Sequence, residues 1–413
     1  MQIFIEPSDV LLFRDGRPFS AGEGHRARSI FPPTPNTMQG VIRSKVLADR
    51  CGRYQQYKNG CLGCPEQNNC TIPDEIGRPG ANGQGNYGKM KLKGALIAQY
   101  QPPDLVTYFP VPTDVVQVKE KNNPSGNPQL QYLQPLQQQL PGDNDLPFSL
   151  LPLWTPETQP VEAIQGYWSH HQISDYLLGK CPDSFTKIKE LYEKEARFGI
   201  EIDDSKQIVQ EGKLYQTEFV RCLEYVGLYV EIEGIKHLSA EPDPDRGIMA
   251  IGGENRAASY TKLSKINWDN FNQRLSDRLK QSGRFKLYIA TPTIFKNQQL
   301  NFHKTGIEGW LPSWLKPENV NGRVCIKGEY KGVAVELVAA AIGRYQTIGG
   351  WDIAYNRQKP TRRAVSAGSV YYFKTQANPE QILETFHWQN LADDEKDAQI
   401  GYGLSLVGTW NYC

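Results

Sequence analysis

The sequence has no uninterrupted apolar run approaching the roughly 20 residues that a membrane-spanning helix needs. Its most apolar stretch, Val333 to Ile342, is short and carries Glu336. The N-terminus, Met1-Gln2-Ile3-Phe4-Ile5-Glu6, has neither a basic flank nor a long apolar stretch. It reads as an opening strand and not as a secretory leader. A single-span anchor and signal-directed secretion are disfavoured, and the expected location is the cytoplasm. An excess of one charge is also lacking: 46 Lys and Arg stand against 45 Asp and Glu, for a net charge of +1. That disfavours a protein basic all over that coats nucleic acid, but not a local basic groove. Histidine is scarce, with six residues in 413. None lies in a His-Glu-x-x-His pattern, and no Gly-x-Ser-x-Gly elbow, Walker A loop or dinucleotide fingerprint occurs. Signals for catalysis are weak.

What is present is tyrosine, glycine and proline: 21, 37 and 28 residues, with aromatics at 11%. Such a chain has many turns, and its length predicts two domains most simply. Residues 2–6 read as a strand, followed by a loop through Arg14-Asp15-Gly16-Arg17-Pro18-Phe19 to Pro35. A helix follows, capped by Asn36 or Thr37, with Met38, Val41, Ile42 and Val46 on one stripe. Residues 51–88 look like an insertion, and residues 119–148, rich in Gln, Asn, Pro and Gly, read as a mobile loop. Helices are expected over 182–197 (Phe185, Ile188, Leu191 and Tyr192 on one side) and 262–280 (Trp268, Phe271, Leu275, Leu279). Strands are expected over 216–233, 284–290, where Phe285, Leu287 and Ile289 alternate with Lys286 and Tyr288, and 329–341. This order predicts an α+β fold of two halves, 1–215 and 216–413.

The sharpest local signal is Cys51-x9-Cys61-x2-Cys64-x5-Cys70, four of eight cysteines on a polar loop that offers them no core. Four thiolates meet the demand of a tetrahedral structural zinc, with an iron–sulfur cluster as the alternative. Cys181, Cys222, Cys325 and Cys413 are scattered and read as plain thiols.

The second signal is arginine among glycines and aromatics. Residues 14–28 hold Arg14, Arg17, His25, Arg26 and Arg28 with Gly16, Gly22 and Gly24. Residues 343–375 hold Arg344, Arg357, Lys359, Arg362, Arg363 and Lys374 with Trp351, Tyr355, Tyr371 and Tyr372, against one acid, Asp352. Arginine neutralises phosphate and aromatic faces stack unpaired bases. Two glycine segments, Gly252-Gly253-Glu254-Asn255-Arg256 and Gly401-Tyr402-Gly403-Leu404-Ser405, could present N–H donors to a phosphate or form tight turns. The acidic group Glu241, Asp243 and Asp245 alternates with prolines and reads as a solvated turn.

The opening Pro7-Ser8-Asp9-Val10-Leu11-Leu12-Phe13-Arg14-Asp15-Gly16-Arg17-Pro18-Phe19, then Phe31-Pro32-Pro33-Thr34-Pro35 and Gly40-x2-Arg43, form a recognisable series. It continues through Tyr108-Phe109-Pro110-Val111-Pro112-Thr113-Asp114, Arg197-Phe198-Gly199-Ile200, Gly252-Gly253-Glu254, Gly349-Gly350-Trp351-Asp352, Arg362-Arg363-Ala364-Val365-Ser366 and Gly401-Tyr402-Gly403. Taken together, the chain resembles the third Cmr-type RAMP subunit of type III-B CRISPR effector complexes. The resemblance implies two ferredoxin-like, RRM-related halves and a non-catalytic role. It implies binding of the guide RNA's 5′ tag and docking on the polymerase-like large subunit and an adjacent RAMP backbone subunit, with target RNA met only indirectly. RNA contact is carried over to Arg14, Arg17, Arg43, Gly253, Arg256, Arg362 and Arg363, and Gly401-x-Gly403 matches the RAMP glycine loop. The cysteine insertion is not part of that pattern. The alternative is a metal-independent endoribonuclease that matures guide RNA, with His25 as general base.

Overall fold

The computed structural model describes residues 1–16, 26–66, 68–80, 85–118, 129–137, 149–157, 159–203, 208–264, 269–280, 282–296 and 309–413. Two antiparallel sheets carry an α+β fold. The first has eight strands, in the order Thr186–Lys187, Gly166–Ser169, Asp104–Pro110, Lys91–Gln101, Val226–Glu233, Gln2–Pro7, Arg256–Leu263 and Arg246–Ile251. The second has seven: Leu315–Val320, Arg323–Tyr330, Val333–Ala341, Val370–Thr375, Arg284–Ile289, Leu404–Gly408 and Gln389–Asn390. The division expected at 215/216 falls inside the strand Ile208–Cys222, and the strands within 226–263 belong to the first sheet.

Period-two alternation decides which face each side chain takes. In the first sheet Ile3, Ile5, Leu228, Val230 and Ile232 pack under the helix Pro35–Val46, against Met38, Val41, Ile42 and Val46. In the second, Phe285, Leu287 and Ile289 pack under the helices Asp269–Leu279 and Pro379–Phe386, against Leu275, Leu279, Ile382 and Phe386. The opposite faces meet: Phe4, Leu96 and Tyr229 share a core with Tyr288, Tyr372 and Leu406, filled in by Ile173 and Leu177 of the helix His170–Leu177. Each such buried side chain contributes about 1.5–3 kcal/mol.

Several expectations change. The first helix starts earlier than expected, with Thr34 at the N-cap position but no side-chain cap bond, and with Pro35 in its first turn, where proline's fixed φ suits the helix. Residues 182–197 are not a helix: Tyr192–Asp203 is a strand paired with Ile208–Cys222. The helical spacing there loses to a ladder whose cross-strand partners, Glu195 with Arg221 and Lys194 with Glu218, satisfy its charges. The segment 262–280 begins as the end of a strand, and its helix is Asp269–Leu279. Within 119–148, residues 119–128 and 138–148 lie outside the described residues, while Leu130–Tyr132 and Gln134–Pro135 are strands. Among the described residues no helix is long and apolar enough to cross a membrane.

Candidate functional site

The opening loop is laced into both halves. Leu11 and Val220 exchange backbone hydrogen bonds at 2.8 and 2.9 Å, and the Gly253 N–H donates to the Leu12 carbonyl at 2.8 Å. Arg14 bridges Ser29, the Asp15 N–H donates to the Arg28 carbonyl at 3.0 Å, and Arg14 and Arg28 are both exposed. Gly16 then meets Gly349. A Cβ on Gly16 would stand 2.6 Å from the Gly349 nitrogen, and one on Gly349 would stand 2.6 Å from the Gly16 Cα. Only glycine on both sides allows that approach. The Thr361 hydroxyl donates to the Gly16 carbonyl at 3.2 Å. Basic segments from opposite ends of the chain are thereby joined. Beyond the junction Arg363 is exposed, its guanidinium 4.9 Å from the Tyr345 ring centroid, and Arg357 lies 5.4 Å from that of Tyr355. Tyr345 is 55% and Trp351 57% exposed.

Three further arginines have side-chain partners. Arg43 Nη2 donates to the Tyr57 hydroxyl at 2.6 Å, and the guanidinium lies 5.9 and 5.8 Å from the Tyr57 and Tyr87 rings. Arg362 makes a two-toothed pair with Asp397, from Nη1 to Oδ1 at 2.9 Å and from Nη2 to Oδ2. Arg256 pairs with Glu254 at 2.6 Å and Asp9 at 3.5 Å, and sits 5.2 Å from the Phe219 ring. Asp9 also receives Arg221 at 3.4 Å, and Arg221 reaches Glu195 at 2.8 Å. The Val10 N–H and these arginines hold the Asp9 carboxyl below its ordinary value. Glu195 and Arg221 were not singled out in the sequence. Their signal is the pairing of two strands, and the helical reading of 182–197 concealed the Glu195 side of it.

Gly252 has φ +72°, and a Cβ there would stand 2.7 Å from the Leu12 carbonyl oxygen. That turn therefore seats the opening loop, and the Gly253 N–H is already used. Gly401 and Gly403 are buried; a Cβ on them would meet the Gly94 carbonyl at 2.8 Å and Thr293 Oγ1 at 2.7 Å. Gly401 packs on the first sheet's strand Lys91–Gln101, and Gly403 packs on Thr293 and Leu391. Arg17 and His25 lie outside the described residues. Arg26 pairs its backbone with Gln216 in a short parallel bridge.

The four clustered cysteines line one small cavity with Arg53, Gln56, Tyr57, Ile72 and Pro73. Cys51 ends the turn after the first helix, Cys61 has φ +66°, and Cys64 N–H donates to the Cys61 carbonyl at 3.2 Å. Arg53 Nη1 lies 3.7 Å from Cys64 Sγ. Burial pushes the Cys61 thiol up; Arg78 opposes this, and Cys70, Cys64 and Cys51 add to it. All eight cysteines are unpaired thiols. The insertion is not wholly peripheral, since Tyr57, Cys61, Ile72 and Ile76 enter the first core.

Two of the described histidines accept hydrogen bonds from backbone N–H groups. His170 Nδ1 accepts from the Thr107 N–H at 3.4 Å, and burial with the neighbouring His171 pushes its pKa down to about 4. His387 Nδ1 accepts from the Val407 N–H at 3.1 Å, and burial pushes it down to about 4. The acidic turn is not fully solvated: the Asp243 side chain is 5% exposed and takes Lys262 at 2.7 Å and the Ser239 N–H at 2.9 Å.

Residues 3–410 match the model of a family of CRISPR-associated proteins, Cas_Cmr3. Among solved structures, a chain in the cryo-EM structure of the type III-B Cmr-beta bound to cognate target RNA and AMPPnP is 14% identical, with a TM-score of 0.47 over 97% of this chain and 95% of that one. A chain in the structure bound to cognate target RNA is 15% identical, with the same TM-score and coverage. No curated protein matches the chain.

Proposed function

Because the chain belongs to the Cas_Cmr3 family of CRISPR-associated proteins, we propose that it is a non-catalytic subunit of a cytoplasmic type III-B Cmr effector complex. In this role it holds the 5′ tag of the guide RNA and docks on the polymerase-like large subunit and an adjacent RAMP backbone subunit. The observation that carries the reading is the junction of Gly16 with Gly349. It sets Arg14 and Arg28 on segments adjoining those of Arg363, Tyr345 and Trp351. Guanidinium groups there neutralise phosphates, and exposed rings stack unpaired bases. Arg43, Arg256 and Arg362 hold the frame behind that face through Tyr57, Glu254 and Asp397. On this reading the two sheets are the two ferredoxin-like halves, the first extending to residue 263.

The test mixes the full chain, with and without the large subunit, with labelled guide RNA carrying its native or a scrambled tag. Native and denaturing gels are run at several stated salt concentrations. Intact, tag-preferring binding is expected. Arg14→Ala, Arg28→Ala and Arg363→Ala should each lower the log–log salt slope by about one. Equal binding of both RNAs would overturn tag recognition. Cleavage would overturn the non-catalytic reading in favour of a metal-independent endoribonuclease and direct attention to His25.

A further inference from the structure

We propose that Cys51, Cys61, Cys64 and Cys70 bind one zinc ion that cross-links residues 51–70. The cysteines spread over 20 residues of sequence come together on one cavity, and the other four cysteines lie elsewhere. The remaining lining residues supply no carboxylate and no imidazole, so the donor set is all sulfur. Four thiolates are a closed tetrahedral set for zinc, with no position left for water or substrate. The role is therefore structural.

Among the described residues no three His, Cys, Asp or Glu side chains are grouped tightly enough to hold an ion. The four thiols form an open set that must draw together as the ion enters. The ligand-bearing backbone is built of tight turns. Cys61 and Cys64 flank a turn with Gly60 and Gly63, both at positive φ, and Cys70 lies in the turn after Glu66, whose carbonyl accepts its N–H at 2.9 Å. Arg53, 3.7 Å from Cys64 Sγ, supplies positive charge beside what becomes a dianionic centre.

The segment has reason to need a cross-link. Its two helices, Tyr54–Lys58 and Ile72–Ile76, have five residues each, too few to persist alone in water. Metal binding free energy becomes folding free energy for such a segment. The consequence reaches the site through Tyr57, which lines the cavity, takes a hydrogen bond from Arg43 and donates to the Gly77 carbonyl at 2.7 Å.

The experiment is independent of RNA binding. The full chain is purified without added metal and analysed for zinc and iron. About one zinc per chain is expected, retained in Cys413→Ser and lost in Cys64→Ser and Cys51→Ser. Cobalt(II) exchanged into the unmutated chain should give the intense sulfur-to-metal charge-transfer absorption of a tetrathiolate, a readout that does not depend on any variant folding. A metal-free chain that takes up cobalt without that absorption would overturn the site, as would equal zinc in Cys64→Ser and its parent. Iron with a visible cluster spectrum would overturn the assignment to zinc.

Discussion

Lys286→Met is expected to destabilise the protein by about 3–5 kcal/mol, the range for leaving a buried charge uncompensated. Lys286 is 2% exposed and Asp114 is fully buried, and both lie where the two sheets meet. The Lys286 ammonium stands 3.2 Å from the Tyr176 ring centroid. The Tyr176 hydroxyl donates to Asp114 Oδ2 at 2.6 Å, and the Tyr372 hydroxyl donates to the same oxygen. Asp114 Oδ1 has no hydrogen-bond partner among the described residues. Burial pushes Lys286 down to about 8 and raises Asp114, while each charge partly offsets the other's shift. Removing the lysine leaves a carboxylate in an apolar layer with only two hydroxyls. Asp114→Asn should be destabilising by a similar amount, since it strands the ammonium. The double variant should recover much of the loss, because asparagine still accepts from both tyrosines and no charge remains. Urea unfolding of the four proteins forms a double-mutant cycle. Additive losses would show that the two charges do not interact.

Glu75→Gln is expected to destabilise by about 3 kcal/mol at pH 7. Glu75 takes both Arg50 nitrogens, at 2.7 and 2.8 Å, the Lys236 N–H at 3.0 Å and the Thr71 hydroxyl at 2.8 Å. Burial alone would raise its carboxyl; Arg50 first, then the other donors, outweigh that and hold it at about 2, against an ordinary 4.5. A folded value below the unfolded one gives stability that is complete above about pH 4.5 and lost as pH falls through about 2. The gap between parent and Glu75→Gln should therefore shrink by about half from pH 7 to pH 3. A gap independent of pH would mean that the carboxylate's charge contributes nothing. Arg50 also donates to the His237 carbonyl at 2.8 Å, so this cluster ties the cysteine segment to the loop after the strand Val226–Glu233. Arg50→Met should accordingly loosen that segment, read as faster proteolysis between residues 51 and 88.

The helix stripe Met38, Val41, Ile42 and Val46 was legible because one local period fixes one buried face. Residues 182–197 were misread because four apolar residues fit a helical period over a short span, while the deciding ladder lies with residues up to 222. Arg14, Arg28 and Arg363 were named from residue type and glycine context, and the structure leaves all three exposed. Arg43, Arg256 and Arg362 carry the same chemistry on paper, but in the structure they are held by Tyr57, Glu254 and Asp397. Charge is a property of the residue, whereas its exposure depends on what folds beside it.

By itself the sequence determined the α+β class, the alternation that places Phe285, Leu287 and Ile289 on one face, the cysteine cluster and the family. Those follow from short-range periods and from residue identities. Only the tertiary structure decided that the other face, with Lys286 and Tyr288, is buried as well, and that Gly16 meets Gly349. A strand's period specifies two faces but not what covers them, and backbone contact between distant glycines leaves no local pattern. Both depend on how the two sheets come to lie against each other.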